Sequence, residues 1–370
     1  MSGGARLLAL AAASALLFAC GRLTSGGIRK DGGLGTDGGG GPGDSGNAGA
    51  PTLTWQQLPG PSPVPTSFYT VGGTPAGAGP LQLYVGGETQ LGIYDGGSWN
   101  FPIYSQPSNF TLSAVWVSDA GAVYGAGDQF LLYCPGNCTS PGAFTTQNVP
   151  ETMQGLCTAD GTTVFASGYP LSSPGVLYRF DPVQLTWKYV FQNTQTQQNA
   201  GCWVDPNGVV YIATYAAVAR YDSNGGGITT ESLNSFPPGF PVGDQTQTAL
   251  LAVWGYGSTV FAAGNSRLIF QRNAAGSWDW AFHDPNLTVG LSSFTAMTGS
   301  GDAAYAVGDY AAPWNVAHYT ANDGWAIDNS PAASALLNVQ VFSLWARSPN
   351  EYYAVGAANG GGAMLLSGTP

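Results

Sequence analysis

Imidazoles, carboxylates, guanidinium groups and thiols are the side chains of this chain that could do chemistry, and each set is small. His283 and His318 are the only histidines. Neither sits in an HExxH zinc spacing or beside a GxSxG nucleophile elbow, so each reads as a polar strand or loop residue. Glu88, Glu151, Glu231 and Glu351 are the only glutamates, which leaves a Glu-based pair for sugar hydrolysis few candidates, although paired aspartates could serve. Recognition of a sugar carboxylate by convergent arginines would have to draw on Arg179, Arg220, Arg267, Arg272 and Arg347. Arg179 and Arg220 lie in the strand-like runs Tyr-Arg-Phe-Asp and Ala-Arg-Tyr-Asp, where a structural role is expected. Asp205-Pro206-Asn207-Gly208 and Asp222-Ser223-Asn224-Gly225 open like calcium-binding loops, but Ala216 and Leu233 stand where the closing Glu would be needed, so both read as turns. No catalytic constellation, metal site or cofactor site is expected.

The thiols carry a different message. Cys134 and Cys138, in CPGNC, are spaced to close a short disulfide loop in an oxidising compartment. Cys157 and Cys202 fall one residue out of step with each other relative to their neighbouring aromatics, on opposite faces of the pleat, and are expected as buried free thiols. Cys20 follows the uncharged run Leu7 to Ala19, which is too short to cross a bilayer and fits a signal peptide over residues 1–19. The stretch Leu17-Phe18-Ala19-Cys20-Gly21 resembles the lipobox of bacterial lipoproteins, with Phe18 where a small residue is usual. That resemblance implies a Cys20 bearing acyl chains such as palmitate, and, with Gly21 rather than Asp beside it, a protein anchored to the outer membrane or cell surface. Residues 20–51 are Gly-rich without apolar period, as a flexible tether would be.

The elements that must position any site recur along residues 52–370. The second segment of each repeat ends at Gly86, Gly127, Gly168, Thr214, Gly264, Gly308 and Gly356, anchors spaced by about 41 to 50 residues. Leu250 to Trp278 shows the full unit: an apolar segment ending in Trp254, the run VFAAG, the segment LIFQR, and a Gly-bearing turn closing on Trp278. Four short segments bounded by turn residues read as four antiparallel strands, and seven such units predict an all-β, seven-bladed propeller. The last unit lacks a fourth strand after Met364-Leu365-Leu366. Residues 53–58, from Leu53 through Trp55 to Leu58, have its form and are expected to complete that blade and close the ring.

Charged residues make up only 8% of the chain, so apolar packing and turns must carry the fold. Trp116, Trp203, Trp254 and Trp345 occupy one position of the first strands and read as core. The net charge of −11 argues against nucleic acid as a partner. Turns between first and second and between third and fourth strands are tight and rich in Asp, Asn and Gly. The other connections are long: Tyr169 to Gly175, Gln192 to Asn199, Asn234 to Thr248, Asp309 to Asn315 and Ala357 to Gly362. They share one end, which is expected to be the functional face. Gly87, Asp128, Tyr169, Tyr215, Asn265, Asp309 and Ala357 would ring the channel mouth there, joined by Tyr310, Trp314 and Phe240 from the longer loops. Aromatic rings beside Asp and Asn suit a sugar or a protein hot spot.

The repeats resemble those of secreted and lipid-anchored bacterial β-propeller proteins. The YDGGSW turn around Asp95 is also similar to the Asp-box of sialidase-like and lectin propellers, without the usual preceding Ser or Thr. The resemblance implies a non-catalytic, monomeric lipoprotein of the cell envelope, held to the membrane by its N-terminal lipid alone and presenting the long-loop face to a glycan or an envelope protein. An outer-membrane assembly scaffold and a polysaccharide hydrolase or lyase are the alternatives.

Overall fold

The computed structural model describes residues 22–23 and 52–370, apart from 89, 106–110, 170–173, 198, 226, 242–244, 246–247, 284–292, 301–302, 309–315 and 329–338. The first two strands are β1 (Arg22–Leu23) and β2 (Thr54–Gln57). A four-stranded sheet follows, of β3 (Thr70–Gly73), β4 (Leu83–Gly87), β5 (Gln90–Tyr94) and β6 (Trp99–Ser105). The second sheet contains β7 (Leu112–Val117), β8 (Val123–Cys134), β9 (Thr145–Thr158), β10 (Val164–Tyr169), β11 (Pro174–Asp181) and β12 (Thr186–Gln197). The third has β13 (Asn199–Val204), β14 (Val209–Thr214), β15 (Ala217–Asp222) and β16 (Ile228–Ser232). The fourth has β17 (Leu250–Tyr256), β18 (Thr259–Gly264), β19 (Leu268–Arg272) and β20 (Trp278–His283). The fifth has β21 (Phe294–Ser300), β22 (Ala303–Gly308), β23 (Val316–Thr320) and β24 (Gly324–Ile327). The last joins β25 (Val339–Ser348), β26 (Glu351–Ala358) and β27 (Ala363–Thr369) to β1 and β2.

These are six sheets, and the propeller has six blades rather than the seven expected from the anchors. The units anchored at Gly127 and Gly168 share one six-stranded sheet because β8 and β9, of 12 and 14 residues, run on where each was expected to be two strands. Pairing carries past Asp128 with only a register shift before Phe130. The connection expected at Gln192 to Asn199 is likewise strand, formed by the end of β12 and the start of β13. Closure follows the sequence: Thr54 to Gln57 of β2 pair antiparallel with Thr369 to Leu366 of β27. β1 pairs in parallel with β25 at Ser343 and Leu344 and touches β7, β9, β13, β17 and β21, which places it inside the ring of first strands.

The anchor glycines have a steric cause. Opposite them the first strand slips register, between Leu112 and Ala114, Leu250 and Ala252, Phe294 and Ala296, and Val341 and Ser343. Such a bulge pushes the carbonyl just before it against the second strand. A Cβ on Gly264 would lie 2.0 Å from the Ala249 oxygen, and one on Gly308 or Gly356 would lie 2.0 or 1.9 Å from the oxygen of Ser293 or Gln340. In the first unit this role belongs to Gly87, whose Cβ would stand 2.1 Å from the Ser67 oxygen. Because the obstacle is backbone, Gly356→Ala is expected to cost about 3 kcal/mol, the upper end of ordinary overpacking. Gly142→Ala, where a Cβ meets nothing within 4 Å, is expected to leave the thermal midpoint unchanged. Equal midpoints for the two variants would refute the close-approach account.

The tryptophans do build the core. Trp116, Trp203, Trp254 and Trp345 are all buried. Three of them press on a glycine of the next sheet: a Cβ on Gly255 would meet Trp203, one on Gly299 would meet Trp254, and one on Gly73 would meet Trp345. Large rings on one sheet and missing side chains on the next let flat surfaces approach without voids.

Candidate binding face

The antiparallel order puts tight turns at one end of the sheets and the longer connections at the other. At the tight-turn end most aspartates are occupied by backbone. Asp95 accepts from the amides of Gly97 and Ser98, Asp160 from Thr162 and Thr163, Asp205 from Asn207 and Val209, and Asp222 from Asn224 and Gly225. The Ser98 and Gly97 amides hold the Asp95 carboxyl below the usual carboxylate range.

The glutamates are engaged as well. Tyr178 donates its hydroxyl to Glu151 at 2.9 Å, and burial together with that bond pushes the phenol well up. Arg272 donates from two nitrogens to Glu231 at 2.8 and 2.6 Å, and the Trp278 indole adds a bond of 3.0 Å to the same carboxylate. Arg347 donates to both oxygens of Glu351 at 3.1 Å. Among the described residues no three His, Cys, Asp or Glu side chains are grouped so as to hold a metal ion. His283 lies edge-on to Phe240 with ring centroids 6.3 Å apart.

The long-loop end carries an open groove of about 480 Å³ between the last sheet and the first, lined by Val64, Pro65, Thr66, Glu88, Gln90 and Gly362. Three segments converge there: the approach to β3, the β4–β5 turn and the β26–β27 turn. The Ala363 amide donates to the Pro65 carbonyl at 3.0 Å and ties the first segment down. Thr66 donates its hydroxyl to Glu88, whose backbone sits at φ +34°, and the Glu88 carbonyl accepts from the Leu112 amide at 3.1 Å. Val64 is 55% exposed beside these polar groups. The groove therefore offers a carboxylate, a hydroxyl, an amide side chain and an apolar patch, a set able to bind hydroxyls or peptide groups.

The residues expected at the rim divide. Tyr215 is exposed, in a turn whose next residue, Ala216, has φ +55°. Asp128 accepts from the Thr111 amide at 3.2 Å. Asn265 bridges to Ser293 and donates its amide to the Ala249 carbonyl at 2.9 Å. Tyr169 is buried. Phe240 is buried too, stacked on Phe236 at 5.4 Å. Asp309, Tyr310, Trp314 and the lipid-attachment candidate Cys20 lie outside the described residues. Sequence reasoning missed Val64, Thr66, Glu88 and Gln90, which are brought together only by ring closure. Gly87, in the expected ring of mouth residues, was the one signal pointing there.

Cys134 and Cys138 form the expected disulfide. Cys157 and Cys202, expected as free thiols, are also bonded to each other, across the gap between the second and third sheets. Among the described residues no helix is long and apolar enough to cross a membrane.

Radial sheets around a ring of first strands, with loops at the two ends, define a β-propeller. No family model matches the chain, and no curated protein matches it. Solved structures do. The extracellular domain of the putative hybrid two component system BT4673 from B. thetaiotaomicron aligns with a TM-score of 0.61 and 14% identity, over 85% of this chain and 39% of that one. This chain thus spans well under half the length of that protein. A catalytically inactive virginiamycin B lyase from Staphylococcus aureus, with quinupristin, aligns with a TM-score of 0.61 and 10% identity, over 86% and 99%. YCF48 from Cyanidioschyzon merolae gives 0.60 and 12% identity, over 86% and 99%, and YCF48 also appears bound to D1 peptide. TM-scores near 0.6 at such low identity show a shared fold alone.

Proposed function

We propose that this protein is a non-catalytic binding protein of the bacterial cell envelope, lipid-anchored at Cys20, whose long-loop face takes a glycan or a segment of another protein. The observation that carries the reading is the groove at Val64, Thr66, Glu88 and Gln90, which gathers recognition groups from three segments while other carboxylates serve turns and ion pairs. The same fold serves an extracellular domain in BT4673 and accepts a peptide in YCF48, which supports a binding role outside the cytoplasm. The apolar run Leu7 to Ala19, followed by Cys20, supports the anchor.

Screening the purified protein against immobilised glycans and envelope-protein peptides tests this. Saturable binding is expected, weakened at least about tenfold by Val64→Asp together with Glu88→Ala, as for residues at the centre of an interface. A glycan hit fixes a lectin-like role and a peptide hit a scaffold role. Binding that survives both changes, or turnover of a bound polysaccharide, would overturn the proposal.

A further inference from the structure

The tight-turn end holds a second recess, of about 460 Å³, where β11 and β12 of the second sheet face β15 of the third. Its charge is unusual for this chain. Arg179 of β11 and Lys188 of β12 are directly opposite in register, and both line the recess. Like charges at opposed positions on neighbouring strands repel and destabilise the pair. One anion stands beside them, Asp181, and both its oxygens are committed: one accepts from the amides of Val183 and Gln184, the other is paired with the Lys188 ammonium. Arg179 is exposed, and among the described residues nothing pairs with its guanidinium.

The opposite wall is apolar and fixed. Tyr221, next to last in β15, is held by Phe191 at 5.3 Å and Phe165 at 6.4 Å, and Val190 of β12 also lines the recess. The next gap around the ring shows the same kind of recess filled from within. There Arg272 holds the place in β19 that Tyr221 holds in β15, its guanidinium 5.6 Å from the centre of the Tyr211 ring, and the third sheet supplies the Glu231 carboxylate to its two nitrogens. A guanidinium, a carboxylate and an aromatic ring close that gap. Between β11–β12 and β15 the guanidinium and the ring are present and the free carboxylate is missing.

We propose that this recess binds an acidic sugar, a uronate residue of a glycan, whose carboxylate takes the fork of Arg179 with Lys188 beside it and whose ring lies on Tyr221. A planar carboxylate matches the guanidinium fork two bonds at a time. The Tyr221 ring, with Val190 lining the same recess, suits the apolar face of a pyranose better than an irregular side chain. The net charge of −11 repels polyanions from the rest of the surface, so binding here depends on this local contact. The site is independent of the long-loop face.

Calorimetric titration of the purified protein with an oligogalacturonate, the matching neutral galactose oligomer and poly-glutamate decides it. The uronate is expected to bind, and the neutral oligomer at least about tenfold more weakly, since charged hydrogen bonds are lost. Arg179→Gln is expected to weaken the uronate by a similar factor with an unchanged melting temperature, while Tyr256→Ser, at a different gap, leaves it as it is. Equal binding of the neutral oligomer, binding unaltered in Arg179→Gln, or binding of poly-glutamate alone would overturn the proposal.

Discussion

Trp55→Ala is expected to lower the unfolding free energy by about 3–5 kcal/mol, the range for removing a large buried aromatic. Trp55 is only 5% exposed although it belongs to a four-residue strand at the beginning of the fold. Its ring lies over Gly368, where an added Cβ would come within 2.9 Å of it, and Leu53 beside it is fully buried in the cluster containing Tyr352 and Leu366. The indole thus fastens β2 to β27 and the first described residues of the propeller to the last. Loosening it also bares the outer edge of β27, a row of unpaired backbone groups open to another chain. Urea unfolding measures the loss, and light scattering under native conditions should show association that the parent protein does not. A shift under about 0.5 kcal/mol, the size of a typical surface substitution, would mean that β2 does not hold the ring shut.

Closure was legible because a strand with a buried-face tryptophan and no local partner needs one, and the last unit was one strand short. The number of sheets was not. Anchors count units, and the units at Gly127 and Gly168 are as regular as the rest; whether hydrogen bonding stops between two units depends on a break in the strand near Val149 to Met153, and β9 runs through that stretch. The site shows a similar division. Tryptophan at a fixed place in the first strands identified core, and three of the four rings have a glycine to meet on the next sheet. Phe240 and Tyr169 looked like rim aromatics from loop position alone, and the structure spends them on packing. Groups such as Glu88 and Val64, or Arg179 and Tyr221, are far apart or on different sheets, and only the ring brings them together.

Removing the Cys157–Cys202 bond by a double change to alanine is expected to cost about 4 kcal/mol, the loop-entropy value for a cross-link spanning 45 residues. The reason these cysteines were expected as free thiols is also the reason they pair. Cys157 is opposite Phe165 in β10, and Cys202 is opposite Ile212 in β14, one residue out of step with Trp203 and its partner Tyr211. Being out of step puts two residues on opposite faces of the pleat. Within one sheet that would separate them, but on adjacent sheets of a propeller the opposite faces are the ones that meet. Both cysteines are fully buried in the cluster between the second and third sheets, so the bond clamps the wall beneath the Arg179 recess. The Cys134–Cys138 bond spans only four residues, and the same model gives it roughly 2 kcal/mol. Guanidinium unfolding of the two double variants under non-reducing conditions should therefore place Cys157→Ala/Cys202→Ala below Cys134→Ala/Cys138→Ala. The reverse order would show that the constraint between the sheets comes from their packed side chains, with the disulfide adding little to what Phe165, Leu177 and Val210 already hold.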